Sequence, residues 1–305
     1  MALPVVLAQL ADTVLDRTVL LGYGRTGLAV RRRLPGWPAD PPRLDGKVVV
    51  VTGATSGIGL AASQAFAALG ATVHVVGRDE ARTARAAASV PGSVPGLCDV
   101  SSLASLEAFT SAWTGPLDVL VNNAGLMPPH RELTADGIEL TFATNVVGPY
   151  WLTSRLAGPL GGGRVVTVSS GGMYGQRLDD DLQSAVGYRP VTAYARTKRC
   201  EVVLTERFAE LLPDVHVHAM HPGWARTPGV ASSLATFSRI AGPLLRTPEQ
   251  GADTIVWLGG APEGGATSGL FWHDRRPRPT HLLGLHQETG ADRDRLWSLC
   301  QELAG

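Results

Sequence analysis

A surplus of either charge is missing from this chain. Across 305 residues, 27 lysines and arginines face 27 aspartates and glutamates. Without net charge, binding to nucleic acid through bulk electrostatics has no support, and no nucleic-acid partner is expected. Cysteine is scarce: Cys98, Cys200 and Cys300 stand far apart. Their odd number argues against a disulfide framework, and a reducing compartment fits best. Neither they nor His221 and His281 have metal-ligand spacing, so no metal site is expected. No uninterrupted apolar run of about 20 residues occurs, so no integral membrane span is expected. The apolar opening, residues 1–10, has no basic leader, and Asp12, Asp16 and Arg17 soon interrupt it. It does not read as a secretory signal, and the expected location is cytoplasmic.

What the chain has is a core. Hydrophobic residues make up 44% and charged residues 18%, which suits one globular domain with extensions rather than a disordered chain. Residues 1–43 read as an N-terminal helical extension that ends in a proline-rich arm (Pro35, Pro38, Pro41, Pro42). Within it, residues 18–34 end in Arg31-Arg32-Arg33, either a helix packed on the domain or a basic amphipathic helix lying on an anionic membrane. From residue 44 to 286, continuous apolar strands alternate with helices. Strands are expected near 47–52, 71–76, 94–98, 117–121, 164–168, 215–220 and 270–272. Helices are expected at 58–69, 79–89, 192–212 and 247–258, with a mostly helical stretch at 134–160 broken near Gly148-Pro149. This alternation predicts an α/β fold, a Rossmann-like doubly wound parallel sheet of about seven strands. Residues 287–305 read as a C-terminal helix.

Two glycine-rich segments compete for a phosphate. Gly22-Tyr-Gly24-Arg-Thr-Gly27 is a literal G-x-G-x-x-G, but the chain then runs into prolines instead of a second strand, so it reads as a chance match. Thr52-Gly53-Ala-Thr55-Ser56-Gly57-Ile58-Gly59 follows an apolar strand and opens a helix. There, glycines let backbone approach a pyrophosphate at a positive helix end. Further on, Tyr194 and Lys198 are four residues apart, one face of a helix. A phenol ionises near ~10, and a neighbouring ammonium lowers that value, which makes the pair a candidate acid/base.

Thr52-Gly-x-x-x-Gly-x-Gly59, Asn122-Asn-Ala124-Gly125 and Tyr194-x-x-x-Lys198, in this order, resemble the short-chain dehydrogenase/reductase family in its classical form. Within it, Val168-Ser-Ser-Gly-Gly-Met173, Met220-His-Pro-Gly-Trp224, Gln250-Gly-Ala-Asp-Thr254 and His273-Asp-Arg-Arg are similar to the branch of SDR family member 12. The resemblance covers about residues 44–260. It implies a catalytic set of Asn145, Ser170, Tyr194 and Lys198. Tyr194 would be the general acid or base, Lys198 its tuner and ribose ligand, Ser170 (rather than Ser169) the holder of the substrate oxygen, and Asn145 the support of the proton relay. The cofactor would lie along Thr52, Gly53, Thr55, Ser56, Gly57, Ile58 and Gly59, then Asp99, Val100, Asn122, Ala124 and Gly125. Asn145, Tyr194, Lys198, Pro222, Gly223 and Thr227 would meet its nicotinamide side. Met127, Met173, Tyr174 and Trp224 would border an apolar substrate pocket.

At the end of the second strand stand Gly77 and Arg78 rather than an acid, which argues for NADP(H) over NAD(H), since a guanidinium suits a 2′-phosphate. The stretch from Ser170 to Tyr194 spans 24 residues, longer than in many family members, and would shape the pocket rim; its aspartates 179–181 read as solvated. The expected function is an NADP(H)-dependent oxidoreductase interconverting a small-molecule carbonyl and alcohol. The alternatives are a non-catalytic NADP-binding regulatory member and a membrane-peripheral retinoid, steroid or lipid reductase anchored by residues 1–34. The family's habit of pairing through helices makes a homo-oligomer an expected assembly.

Overall fold

Four consecutive valines open the regular part of the chain, and they explain its architecture. In the computed structural model, which describes residues 3–18, 22–226, 242–282 and 284–305, they form strand β1 (Val48–Thr52). Val50 faces one apolar cluster while Val49 and Val51 face another, so the strand is buried on both sides. That is the environment of a parallel sheet between two helical layers. The other strands are β2 (Thr72–Gly77), β3 (Val94–Leu97), β4 (Val119–Asn122), β5 (Arg164–Val168), β6 (His216–Met220), β7 (Leu270–His273) and β8 (Arg276–Arg278). Their spatial order is β3-β2-β1-β4-β5-β6-β7-β8. All neighbouring pairs are parallel except β7–β8. The order reverses between β1 and β4, and a doubly wound sheet opens its ligand crevice at such a point, beyond the carboxyl ends of the strands.

The sheet holds eight strands among the described residues, one more than expected. The extra strand follows a two-residue hairpin whose central residues, Asp274 and Arg275, both have positive φ (53° and 57°). This is the geometry that suits a tight antiparallel turn, although neither residue is the glycine or asparagine that usually occupies it.

The helices are α1 (Leu3–Arg17), α2 (Arg25–Arg31), α3 (Gly57–Ala68), α4 (Glu80–Ala88), α5 (Leu103–Ser111), α6 (Gly148–Arg155), α7 (Pro190–Leu211), α8 (Pro248–Gly260) and α9 (Gly290–Ala304). Side chains mark several starts: Asp79 accepts from the Arg82 amide, and Thr247 with Gln250 and Thr289 with Asp292 form capping boxes. The helix expected from residue 134 begins at Leu140 instead. Gly137 has φ +76°, Thr134 N–H donates to the Ile138 carbonyl, and the buried Glu139 carboxylate caps Thr141 and Phe142. The break expected at Gly148-Pro149 is a π turn one step earlier, Ala143–Val147. Pro149, which has no N–H to donate, follows this π turn directly, in the first turn of α6. The C-terminal helix starts at Gly290 and sets Leu296 and Cys300 into the core.

The N-terminal extension packs in reverse. In α1, Asp12 and Asp16 face inward, while Leu7, Leu10 and Val14 are each more than half exposed. Asp12 accepts hydrogen bonds from Arg31 (2.8 Å) and Arg278 (2.8 and 2.9 Å). Burial alone would raise the Asp12 carboxyl, but these two guanidiniums bring it below its ordinary value. No described helix is long and apolar enough to cross a membrane.

Candidate active site

Beyond the carboxyl ends of β1 and β4 lies a cavity of about 620 Å³. Its floor is tied together by Thr52, whose buried hydroxyl accepts from the amides of Asn123 (3.0 Å) and Ala124 (3.1 Å) and donates to the Val121 carbonyl (3.2 Å). Asn123 returns two hydrogen bonds, to the carbonyls of Thr52 (2.8 Å) and Gly53 (3.3 Å). Glycine is required three times in this turn, and Gly57 has φ +57°. Gly53 has φ +62°, and a Cβ there would stand 2.8 Å from Ala124 Cα; a Cβ on Gly59 would meet Asn123 Nδ2 at 2.4 Å. The chain then enters α3 with Thr55, Ser56, Gly57, Ile58 and Gly59 on the cavity wall. An open cradle at the positive end of a 12-residue helix fits a dinucleotide pyrophosphate.

Along the cradle, Gly77 and Arg78 at the end of β2 line the cavity, joined by Arg82 from α4. The acid next in sequence, Asp79, has a carboxylate oxygen committed to capping α4. Asp99 and Val100 form the wall beyond β3, with Asp99 accepting from the amide and hydroxyl of Ser101.

Helix α7 carries the tyrosine and lysine of the candidate site. Tyr194 and Lys198 both line the cavity, with Lys198 Nζ 5.3 Å from the centre of the Tyr194 ring. Burial pushes the Tyr194 phenol up, Lys198 pulls it down, and Glu201 pushes it up again, leaving it above its ordinary value. The expected lowering by Lys198 is therefore present but outweighed in this environment. Ser169 and Ser170 both line the cavity; the Ser170 hydroxyl accepts from the Gly172 amide (3.2 Å), whereas the buried Ser169 hydroxyl is committed to the Lys198 carbonyl (2.7 Å). Asn145 sits in the π turn, a helix defect frequent at functional sites. It accepts from the Leu126 amide (3.1 Å) and donates to Thr197 Oγ1 (2.9 Å). Asn145 Oδ1 and Lys198 Nζ would each be 3.4 Å from a Cβ on Gly125, so the two groups flank one point of the wall.

Ala124, Gly125, Met127, Pro222, Gly223 and Trp224 also reach the cavity. Thr52, Asn122 and Asn145 stand behind its wall: Thr52 ties strands, and Asn122 donates to Thr153 (3.2 Å). Met173 is sealed in the core, and the Tyr174 hydroxyl turns to the Pro279 carbonyl (2.9 Å), so neither borders the cavity. The short helical turn Gly171–Gly175 directs them away from it. Thr227 lies outside the described residues. Asn123, Arg82 and Glu201 were missed by the sequence reading. The doubled asparagine Asn122-Asn123 was the available signal for the first.

The Gly22-Tyr23-Gly24 segment holds no phosphate cradle. It buttresses the loop 222–226 instead. The Trp224 amide donates to the Tyr23 carbonyl (2.8 Å), and the Tyr23 ring packs edge-on against His221 (4.3 Å) and His273 (5.0 Å). Arg246 donates to the carbonyls of Gly22, Gly24 and Pro222 (3.3 Å each) and to Asp274 (2.6 and 2.9 Å). Arg31 donates to the same carboxylate and to the Gly22 carbonyl, each at 2.7 Å. A Cβ on Gly171, next to Ser170, would meet the Tyr23 ring at 2.6 Å.

Comparison with known proteins identifies the family of this chain. The short chain dehydrogenase profile matches residues 47–236. Dehydrogenase/reductase SDR family member 12 of Bos taurus is 41% identical over 277 residues, 86% of this chain and 87% of that protein. Retinol dehydrogenase 14 of Homo sapiens is 32% identical, covering 87% of this chain and 88% of its own length. Among solved structures, 3-ketoacyl-(acyl-carrier-protein) reductase from Brucella melitensis, complexed with NADH, is 27% identical over 75% of this chain and 96% of that chain, with a TM-score of 0.59. The chain belongs to the short-chain dehydrogenase family, a family of oxidoreductases.

Proposed function

We propose that the protein is an NADP(H)-dependent oxidoreductase that interconverts a carbonyl and an alcohol on an apolar small molecule, with Tyr194 as general acid/base. The observation that carries this reading is the convergence of Ser170, Tyr194 and Lys198 on the cavity that the glycine turn opens. When bound, the nicotinamide cofactor supplies or accepts the hydride. The protein's part is position and protons. Thr55 to Gly59 and the start of α3 hold the phosphates, and Ser170 Oγ–H holds the substrate oxygen. Tyr194 Oη–H gives that oxygen a proton in reduction and recovers it in oxidation. Lys198 supports the phenolate, while Asn145 keeps the Leu126 backbone in place beside it. The preference for NADP(H) rests on Arg78 and Arg82 at the ribose end of the cradle. Met127 and Trp224 supply apolar surface for the substrate.

A panel of aldehydes, ketones, retinoids and steroids screened for NADPH oxidation tests the reading. Tyr194→Phe should lose at least about 100-fold in kcat, the usual contribution of a positioned proton donor. Retention of full activity would sink the assignment. Arg78→Ala should weaken NADPH, but not NADH, by roughly 10-fold or more, the worth of a charge-assisted hydrogen bond; equal affinities would remove the case for NADP(H).

One observation favours a membrane-peripheral form of the same enzyme. Helix α1 turns Asp12 and Asp16 inward and Leu7, Leu10 and Val14 outward, and Arg17, Arg25 and Arg33 nearby in sequence are exposed. An apolar stripe with exposed arginines suits an anionic lipid surface. Co-sedimentation with phosphatidylserine vesicles, lost in a Leu7→Ser/Leu10→Ser variant, is the expected result. Sedimentation unchanged by those substitutions would refute it.

A further inference from the structure

Three residues beyond Lys198 on α7 stands a carboxylate that the reaction described above does not use. Glu201 is buried, with its side chain 2% exposed, and its Oε1 accepts from Lys198 Nζ at 2.7 Å. The same ammonium donates to the Val168 carbonyl at 2.9 Å. Two of its three donors are therefore spoken for, which leaves one for the cofactor cavity. Tyr194, Lys198 and Glu201 are spaced i, i+4 and i+7, one face of one helix. Glu201 itself does not line the cofactor cavity; it borders a separate void of about 10 Å³ with Tyr150, Thr153 and Thr205.

We propose that Glu201 is a positioning residue of the reaction centre: it anchors the Lys198 ammonium from outside the cofactor cavity and keeps the proton on Tyr194, setting the site for carbonyl reduction. The proposal rests on the reading of Tyr194 as the proton donor. Its physical basis is a balance of charge. A lone buried ammonium four residues from the phenol favours phenolate; a paired one presents almost no net charge and favours the neutral phenol. The groups around Glu201 leave Lys198 as its cationic partner. On α7 it faces Tyr194, Lys198 and Cys200, and at the end of β5 it faces Ser169. Tyr150 comes from α6, and Cys300 from α9 acts through Cys200. Burial raises both thiols and the Tyr150 phenol, so they stay neutral. Burial also pushes the Glu201 carboxyl up to about 7, against the opposing pull of Lys198. It is therefore ionised through the alkaline range where tyrosine and lysine titrate.

Removing one negative charge leaves the Lys198 ammonium unopposed beside the phenol, so the pH at which Tyr194 ionises should fall. Tyrosinate absorbance gives that pH without substrate. The chain has five tyrosines, and subtraction of the Tyr194→Phe titration isolates the one at issue. In Glu201→Gln, with its own Tyr194→Phe reference, the midpoint should fall by about one pH unit or more, as expected for one charge at this range in a protein interior. Glu201→Asp retreats by one methylene and should move the same way by less; it carries the test if the glutamine variant does not fold. The alkaline fall of kcat/KM for reduction of the best carbonyl in the panel should shift with the midpoint, while the NADPH Kd should stay within about 3-fold. A midpoint that stays within about 0.3 pH units, or rises, in the variant that folds overturns the proposal. Full activity in Tyr194→Phe overturns the underlying reading instead, so the two failures are distinct.

Discussion

Asp274→Asn tests whether the N-terminal extension and the loop 222–226 are held by one shared charge. The carboxylate is 2% exposed and receives three hydrogen bonds: one from Arg31 at 2.7 Å and two from Arg246 at 2.6 and 2.9 Å. Arg31 and Arg246 are 0% and 1% exposed. After the substitution Arg31 keeps Asp12 at 2.8 Å, but Arg246 pairs with no other carboxylate among the described residues. It would be a buried cation facing carbonyls at 3.3 Å, and breaking a buried pair in this way costs about 3–5 kcal/mol. Total stability of a domain is about 5–15 kcal/mol, so the loss is large. At roughly 2–4 °C per kcal/mol for a large domain, Tm should fall by about 6–20 °C. Thermal unfolding by circular dichroism reads the shift, and NADPH titration of the folded fraction should show weaker binding, because Arg246 braces the Pro222 carbonyl. A Tm within about 2 °C of the parent would refute the reasoning.

Acid should destabilise the protein well above the range where carboxylates titrate. Burial holds His218 down to about 4 and His221 to about 3, and His273 is also held well below its ordinary 6.5. Unfolded histidines take up protons below about 6.5 while these do not, so their stability contribution is complete above that pH and drains away as pH falls toward 4. Glu201, raised to about 7, acts in the opposite sense between 4.5 and 7, but three histidines outweigh one carboxylate. Tm measured from pH 8 to 4.5 should fall below about 6.5, and a flat profile would contradict the burial of neutral imidazoles. Gly171→Ala should lower kcat/KM by about 10-fold or more, because its Cβ collides with Tyr23 at 2.6 Å and displaces the neighbouring Ser170. Gly172→Ala, with neighbours no closer than 3.5 Å, should cost much less, and equal losses would mean that Tyr23 does not set the position of the loop.

The parallel sheet was legible because burial on both faces demands unbroken apolar strands, and Val48 to Val51 could serve no other purpose so simply. The glycine turn and the Tyr194–Lys198 pair were legible because each is local: a strand, a turn and a helix start, or one helical spacing. The eighth strand was not, since Asp274 and Arg275 take a turn conformation that residues distant in sequence enforce through Arg31, Arg246 and Asp253. The same applies to Asp12 and Asp16, which in the sequence only interrupt an apolar stretch and whose burial depends on Arg278 and Arg31. Glu201 was hidden for a different reason. Spacing places it beside Lys198, but only the packing of α6 and β5 over that face takes it out of water.

The partners of helix α1 also fix an order of events in synthesis. Asp12 and Arg278 are separated by 266 residues, and Arg31 and Asp274 by 243. At the roughly 5–20 residues per second of translation, α1 leaves the ribosome about 10–50 s before Arg278, the second of the two arginines that hold Asp12. Through that interval Asp12 has Arg31, 19 residues on, but not Arg278. The glycine turn and β1 to β6 precede Asp274 in the chain, so the bracing of the loop 222–226 waits on residues made after them. A chain built this way can brace the loop 222–226 only once nearly all of it has been made, so a copy truncated before Asp274 would lack the carboxylate that Arg31 and Arg246 share.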